Sequence, residues 1–258
     1  MRRLVEAYRT YFMNSIISDQ LQVNGVHMSG DSMFESLLQL EDAVENENQL
    51  IQHWVRPDTL PKLKKHKALK NALDACDLIH SDSGIFCALS TWRSGKSLPT
   101  VASQKVIANL IRLADDNGYR VFFLGSRFEI VSNLAAHYSN ETGSRTVCGF
   151  HHGMYRPEDE QSIAEQIADS GAQIVITDMD VVTQVNFTKR HAHLLSRVNV
   201  FTGHSGVFDK LTKYEGLFKQ SRFSYLWEGL ENLGKALQKD NVVNKFRATF
   251  CLLAGAIH

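Results

Sequence analysis

The chain has 258 residues, 43% of them apolar and 22% charged. That balance belongs to a globular protein long enough for a sizeable core and excludes a disordered one. Its 28 basic and 28 acidic side chains cancel, so no whole-molecule field draws it to nucleic acid.

The four cysteines, Cys76, Cys87, Cys148 and Cys251, lack C-x-x-C spacing and sit mostly in apolar runs. They read as reduced, packed thiols of an intracellular protein. The start, Met1-Arg-Arg-Leu-Val-Glu, is basic but has no apolar core, so no signal peptide is expected. No apolar run reaches the length of about 18 residues that a membrane span needs.

Residues 52–55 read as a strand and residues 59–75 as a helix. Residues 77–80 form a short apolar run that ends in Ser81-Asp82-Ser83-Gly84, a turn signal. Residues 101–116 put Val106, Leu110 and Leu113 on one helical face and stop at Asn117-Gly118, which suits a helix end. A strand over 120–124 leads to Gly125-Ser126 and a helix over 128–138. A strand over 146–150 precedes a helix over 157–170 with proline in its first turn. A strand over 173–177, a helix to residue 195 and a strand over 199–202 complete the series.

Strands alternating with helices of this length predict βαβ units: an α/β fold with a Rossmann-like parallel sheet flanked by helices, over residues 1–216. In such sheets ligands bind beyond the carboxyl ends of the strands. The candidate residues are therefore Asp82, Gly125, Ser126, Asp178 to Gln184, and Gly203, Ser205 and Gly206 with the histidine between them.

The pattern changes over residues 217–258. Leu226, Leu230, Leu233 and Leu237 form one helical stripe, and six bases against three acids give a local net charge of +3. We expect a C-terminal amphipathic helical appendage that lies on an anionic membrane surface. The same stripe could instead pack on the main domain, or on a second subunit in a homo-oligomer.

Several stretches in this order are similar to motifs of the WecG/TagA/CpsF glycosyltransferases, glycosyltransferase family 26. Trp54-Val-Arg56-Pro57-Asp58 and Ser81-Asp82-Ser83 fall on the family's Thr-x-Asn-Pro-Glu and Pro-Asp-Gly. Gly118-Tyr-Arg-Val-Phe-Phe-Leu-Gly125 resembles G-Y-x-V-F-L-L-G, and Gly149-Phe-His-His-Gly153-Met-Tyr155 resembles G-x-x-x-G-Y-F. Asp180-Val-Val-Thr-Gln184-Val falls on G-S-P-K-Q-E, and His204-Ser-Gly206-Val-Phe208-Asp209 on V-G-G-x-F-D. Gly229-Leu-Glu-Asn-Leu-Gly-Lys235 resembles the appendage's G-L-E-W-L-Y-R.

The resemblance implies metal-independent, inverting transfer of an N-acetylmannosamine-type sugar from a UDP-sugar donor to a lipid-linked sugar acceptor, with no cofactor. It implies a cytoplasmic protein, peripheral on the inner face of the membrane, working in surface polysaccharide or exopolysaccharide biosynthesis. Asp82 falls on the family's proposed base, Gln184 on a substrate-contacting glutamine, and Lys235 on an appendage arginine. Read from residues alone, Asp82 is a turn aspartate capping the next segment, Gln184 an exposed helix residue, and the glycines tight turns. His151-His152 lacks the companions of a metal motif, and the lysines of residues 62–70 read as a solvated helix face or an anion contact.

The chain also departs from the pattern. The family's Thr and Asn become Trp54 and Arg56, its sugar-site arginine falls on Thr100, and a further appendage arginine falls on Gln220. Two readings stay open: an active transferase, or a catalytically silent relative that scaffolds other polysaccharide assembly enzymes.

Overall fold

The structure, a computed structural model, describes residues 21–23, 25–63, 65–142 and 145–214. The appendage expected over 217–258, with Lys235, Gln220 and Cys251, lies outside the described residues. A small antiparallel hairpin, β1 (Leu21–Val23) and β2 (Val26–Met28), comes first. It leads to helix α1 (Met33–Glu45). Ser32 Oγ accepts the Glu35 N–H, and Glu35 Oε2 accepts the Ser32 N–H, which satisfies two otherwise orphaned donors at the helix start.

Six strands then build one parallel sheet. They are β3 (Leu50–Trp54), β4 (Leu78–His80), β5 (Val121–Gly125), β6 (Val147–His151), β7 (Ile174–Asp178) and β8 (Val200–Gly203). The order across the sheet is β4-β3-β8-β7-β5-β6, and every pairing is parallel. Between the strands run α2 (Lys67–Leu73), α3 (Gly84–Ser94), α4 (Ser103–Asn117), α5 (Phe128–Thr142), α6 (Glu160–Asp169) and α7 (Val181–Arg190), and α8 (Val207–Thr212) follows β8. This is the expected Rossmann-like α/β arrangement.

Both faces of the sheet are covered, so its strands are mostly apolar without a clean alternation, and the polar residues they carry, such as Gln52, His53 and Thr202, are buried. On β5, Phe122 and Leu124 enter a core with Ile163 and Ile167 of α6 and Val185 and Phe187 of α7. Phe123 points the other way, edge-on to Phe208 of α8 at 5.8 Å and stacked on Tyr138 of α5 at 5.9 Å. The period of two along the strand thus serves two cores.

Three sequence expectations need adjusting. The helix expected over 59–75 is split into a 3₁₀ turn, Leu60–Lys62, and α2, because Pro61 near the first position holds a tight turn that the chain does not continue. Lys62, Lys65, Lys67 and Lys70 are exposed along it, as a solvated face requires. The helix after β7 ends at Arg190, not near 195. Helix α3, which the sequence reading took only as a turn, follows Asp82 directly.

Candidate active site at the carboxyl edge of the sheet

Strands β4, β3, β8, β7 and β5 bring Asp82, Arg56, residues 203–206, Asp178 and Gly125-Ser126 to the same edge. Asp82 leaves the end of β4. Capping of α3 falls to its neighbour, since Ser83 Oγ accepts the Phe86 N–H at 3.4 Å. The Asp82 carboxylate is therefore not spent on the turn. It is ion-paired and hydrogen-bonded to Lys210 Nζ of α8. Burial pushes its pKa up, but the hydrogen bond and charge of Lys210 outweigh that and hold it below the usual carboxylate value. The group is ionised at neutral pH, as a base must be, and a cation next to it weakens its basicity.

Beside it stands a short polar chain. His204 Nδ1 donates to the Ser205 carbonyl at 2.9 Å, which leaves Nε2 to accept the Ser103 hydroxyl, also at 2.9 Å. Burial, helped by Lys210, lowers the His204 pKa to about 4, so the ring is neutral. The Ser103 hydroxyl has one proton, and Asp82 Oδ2 at 3.4 Å is its more distant acceptor. His204 thus draws that proton away from Asp82.

Asp178, at the end of β7, accepts the N–H groups of Gly206 and Phe208 and a hydrogen bond from the Ser126 side chain. Burial raises its pKa, against these hydrogen bonds. It fixes the loop after β8 and the start of α8, the helix that carries Lys210. Gly203 has φ +144°, and a Cβ there would sit 1.9 Å from the Thr177 carbonyl oxygen. Gly125 has φ +129°, and its Cβ would meet Asp178 O at 2.6 Å. Both positions therefore need glycine for the approach of β7 itself, whatever ligand binds above them. Ser126 adopts a left-handed φ of 59°, and its carbonyl accepts the Gly153 N–H at 2.8 Å, locking the β5 and β6 loops together.

Gln184 lies beneath this edge, bonded to His53, the neighbour of Gly203 across the sheet. It is 1% exposed, on the inner face of α7 with Val181, Val185 and Thr188, not on an exposed helix face. Its Oε1 accepts from His53 Nδ1 at 2.7 Å, and its Nε2 donates to the Gln52 carbonyl at 3.3 Å. The Gln52 amide in turn accepts from Thr202 Oγ1 at 2.6 Å and donates to Ser36 Oγ. This buried network ties α7, β3, β8 and α1 together, and both amide groups of Gln184 are bonded within it.

The departures from the motif also acquire places. Trp54 is buried between His80 and His204, with ring centroids 5.8 and 6.1 Å away, and its Nε1 donates to the Val101 carbonyl at 2.8 Å. The indole is part of the interior. Arg56 is exposed and paired with Asp58 at 3.2 Å, and Thr100 is exposed after α3. His151 Nδ1 donates to the His152 carbonyl at 2.7 Å, and His152 Nδ1 accepts the Met154 N–H at 3.2 Å. Among the described residues no group of three or more His, Cys, Asp or Glu side chains is gathered to hold a metal ion.

Residues 21–220 match the model of the glycosyl transferase WecG/TagA/CpsF family. The chain belongs to that family. The match spans the whole sheet and both loops that meet Asp82, so the WecG/TagA/CpsF core, with sugar transfer as the family's activity, is the frame for these residues. Sequence reading found Asp82 but not its partner. Lys210 is 128 residues away in the chain, on a helix of six residues, and nothing local to either residue marks the pair. Among the described residues no helix is long and apolar enough to cross a membrane.

Proposed function

We propose that this chain transfers a sugar of the N-acetylmannosamine type from a UDP-sugar to a lipid-linked sugar acceptor in surface polysaccharide assembly. The step is one inverting displacement without metal or cofactor. Asp82 takes the proton of the attacking acceptor hydroxyl, whose oxygen bonds to the anomeric carbon as the bond from that carbon to UDP breaks. The electron pair leaves on the β-phosphate oxygen.

The observation that carries this reading is the Asp82–Lys210 pair. At the open edge of the sheet it holds an ionised carboxylate and a partly exposed ammonium side by side, one for the acceptor and one for the donor. The incoming diphosphate offers Lys210 a second anion. As the ammonium turns toward it, Asp82 recovers basicity at the moment a base is needed. Gly125, Ser126, Gly203 and Ser205 line the strand ends where the diphosphate sits, and Asp178 holds that edge in shape. The reading carries with it the expectation that residues 217–258, which lie outside the described residues, work at the inner face of the membrane.

The second reading, a silent relative that scaffolds other assembly enzymes, is favoured by Trp54, whose indole is buried at the position where the family has threonine. A thermal-shift screen separates the two. UDP raises the melting temperature more than ADP or GDP does if a uridine nucleotide is the donor carrier, since a ligand of the native state stabilises it. Equal or absent shifts for all three remove the donor assignment and leave the scaffold.

A further inference from the structure

Helix α3 turns most of its large apolar side chains outward. Cys87, Ser90 and the partly buried Phe86 face inward, while Ile85, Leu89 and Trp92, at i, i+4 and i+7, are 79%, 59% and 84% exposed. A helix that packs on a core in water shows the reverse pattern. Phe128, at the start of α5, and Met154, after β6, are exposed as well. These five are the large apolar side chains left exposed among the described residues. The segments that carry them follow the carboxyl ends of strands, with α3 after β4 on one side of the sheet and Phe128 and Met154 after β5 and β6 on the other.

Charge on α3 and the segment after it points to what covers its outward face. Residues 83–114 contain no Asp or Glu, whereas the whole protein is neutral. Arg93, Lys96 and Lys105 are exposed within that run, with Arg93 next to Trp92 in the chain and Lys96 just past the end of α3. An apolar stripe with an indole and flanking bases suits the boundary of an anionic bilayer, where tryptophan and the stems of lysine and arginine settle.

We infer that the outward face of α3, through Ile85, Leu89 and Trp92, seats this edge of the protein on an anionic lipid surface. The contact turns Asp82, two residues before the helix begins, toward the plane from which a lipid-linked acceptor would be presented. The inference deepens the proposed function and rests on it for its purpose, but its test does not depend on turnover.

The full-length protein is sedimented with phosphatidylcholine vesicles, with and without phosphatidylglycerol, beside an Ile85→Gln/Leu89→Gln/Trp92→Gln variant. These side chains are exposed, so the variant keeps the fold, and an unchanged melting temperature checks that. The wild type partitions onto the phosphatidylglycerol vesicles, and the variant loses on the order of tenfold or more of that partition. Trp92 emission shifts to the blue with those vesicles, read as the difference from Trp92→Phe. A wild type that ignores the anionic vesicles, or a variant that sediments as the wild type does, overturns the inference. Loss of binding in the variant when no UDP shift is seen in either protein leaves the lipid face standing and removes only the donor assignment.

Discussion

Lys210 of α8 is paired with Asp82 at the end of β4, so the candidate base and a candidate phosphate ligand begin as each other's partners. The pair depends on Asp178, which holds the start of α8 through Gly206 and Phe208. If Lys210 depresses the pKa of Asp82, its removal must raise it. In Lys210→Met the acid limb of the pH profile of kcat/KM moves to higher pH, and donor KM rises with the loss of a phosphate contact. A limb that stays in place shows that Asp82 is not the titrating base.

Three buried histidines predict how stability responds to acid. His53 and His204 have pKa values lowered to about 4 and His80 to about 3, each first of all by burial. Unfolded histidine titrates near 6.5. The neutral rings therefore contribute stability above about pH 6.5, and it is lost as pH falls from there toward 4. Each histidine adds a slope of up to about 1.4 kcal/mol per pH unit in that window. Urea titrations between pH 7 and 4 measure it, and His204→Gln flattens the curve by about one histidine's share.

Gly203→Ala forces a Cβ against the Thr177 carbonyl and an unfavourable φ. We expect it to destabilise the protein by about 3 kcal/mol, whereas Gly95→Ala, at a helix end with open space around it, costs about 1 kcal/mol. Urea midpoints of the two variants make the comparison. Similar losses would mean that the close approach of β7 and β8 is not what demands the glycine.

Gln184→Leu removes the partner of His53 Nδ1 inside the protein. It costs about 1–3 kcal/mol of stability and leaves UDP affinity unchanged in calorimetry. A variant of normal stability with weakened UDP binding would return Gln184 to the substrate site.

The strands of the large sheet were legible because each is a short, mostly apolar run between turn residues, whereas the three-residue strands β1 and β2 were too short to read. Helix α3 was not, since its large apolar residues face outward and the Ser-Asp-Ser-Gly signal before it reads equally well as a plain turn. Asp82 was legible as a carboxylate at a strand end, and the motif gave it a role. The burial of Gln184 could have been read from its spacing to Val181, Val185 and Thr188, which share one face of α7. The motif drew attention to the residue type and away from that face. Trp54 read as a lost polar group, but only the packed rings of His80 and His204 show that the indole belongs to the interior. Lys210 depended on bringing two distant loops together, which no local pattern encodes.

The most direct test of the account is sugar transfer by Asp82→Asn beside the wild type, with a UDP-sugar donor and a lipid-linked acceptor. Circular dichroism and UDP binding first show that both proteins are folded and loaded. Asp82 caps nothing and its partner Lys210 reaches solvent, so the substitution leaves the fold and donor binding nearly intact. The account predicts that turnover falls by roughly 10²–10⁴ in the variant. Equal turnover by the two proteins would contradict it and reduce Asp82 to the partner of Lys210.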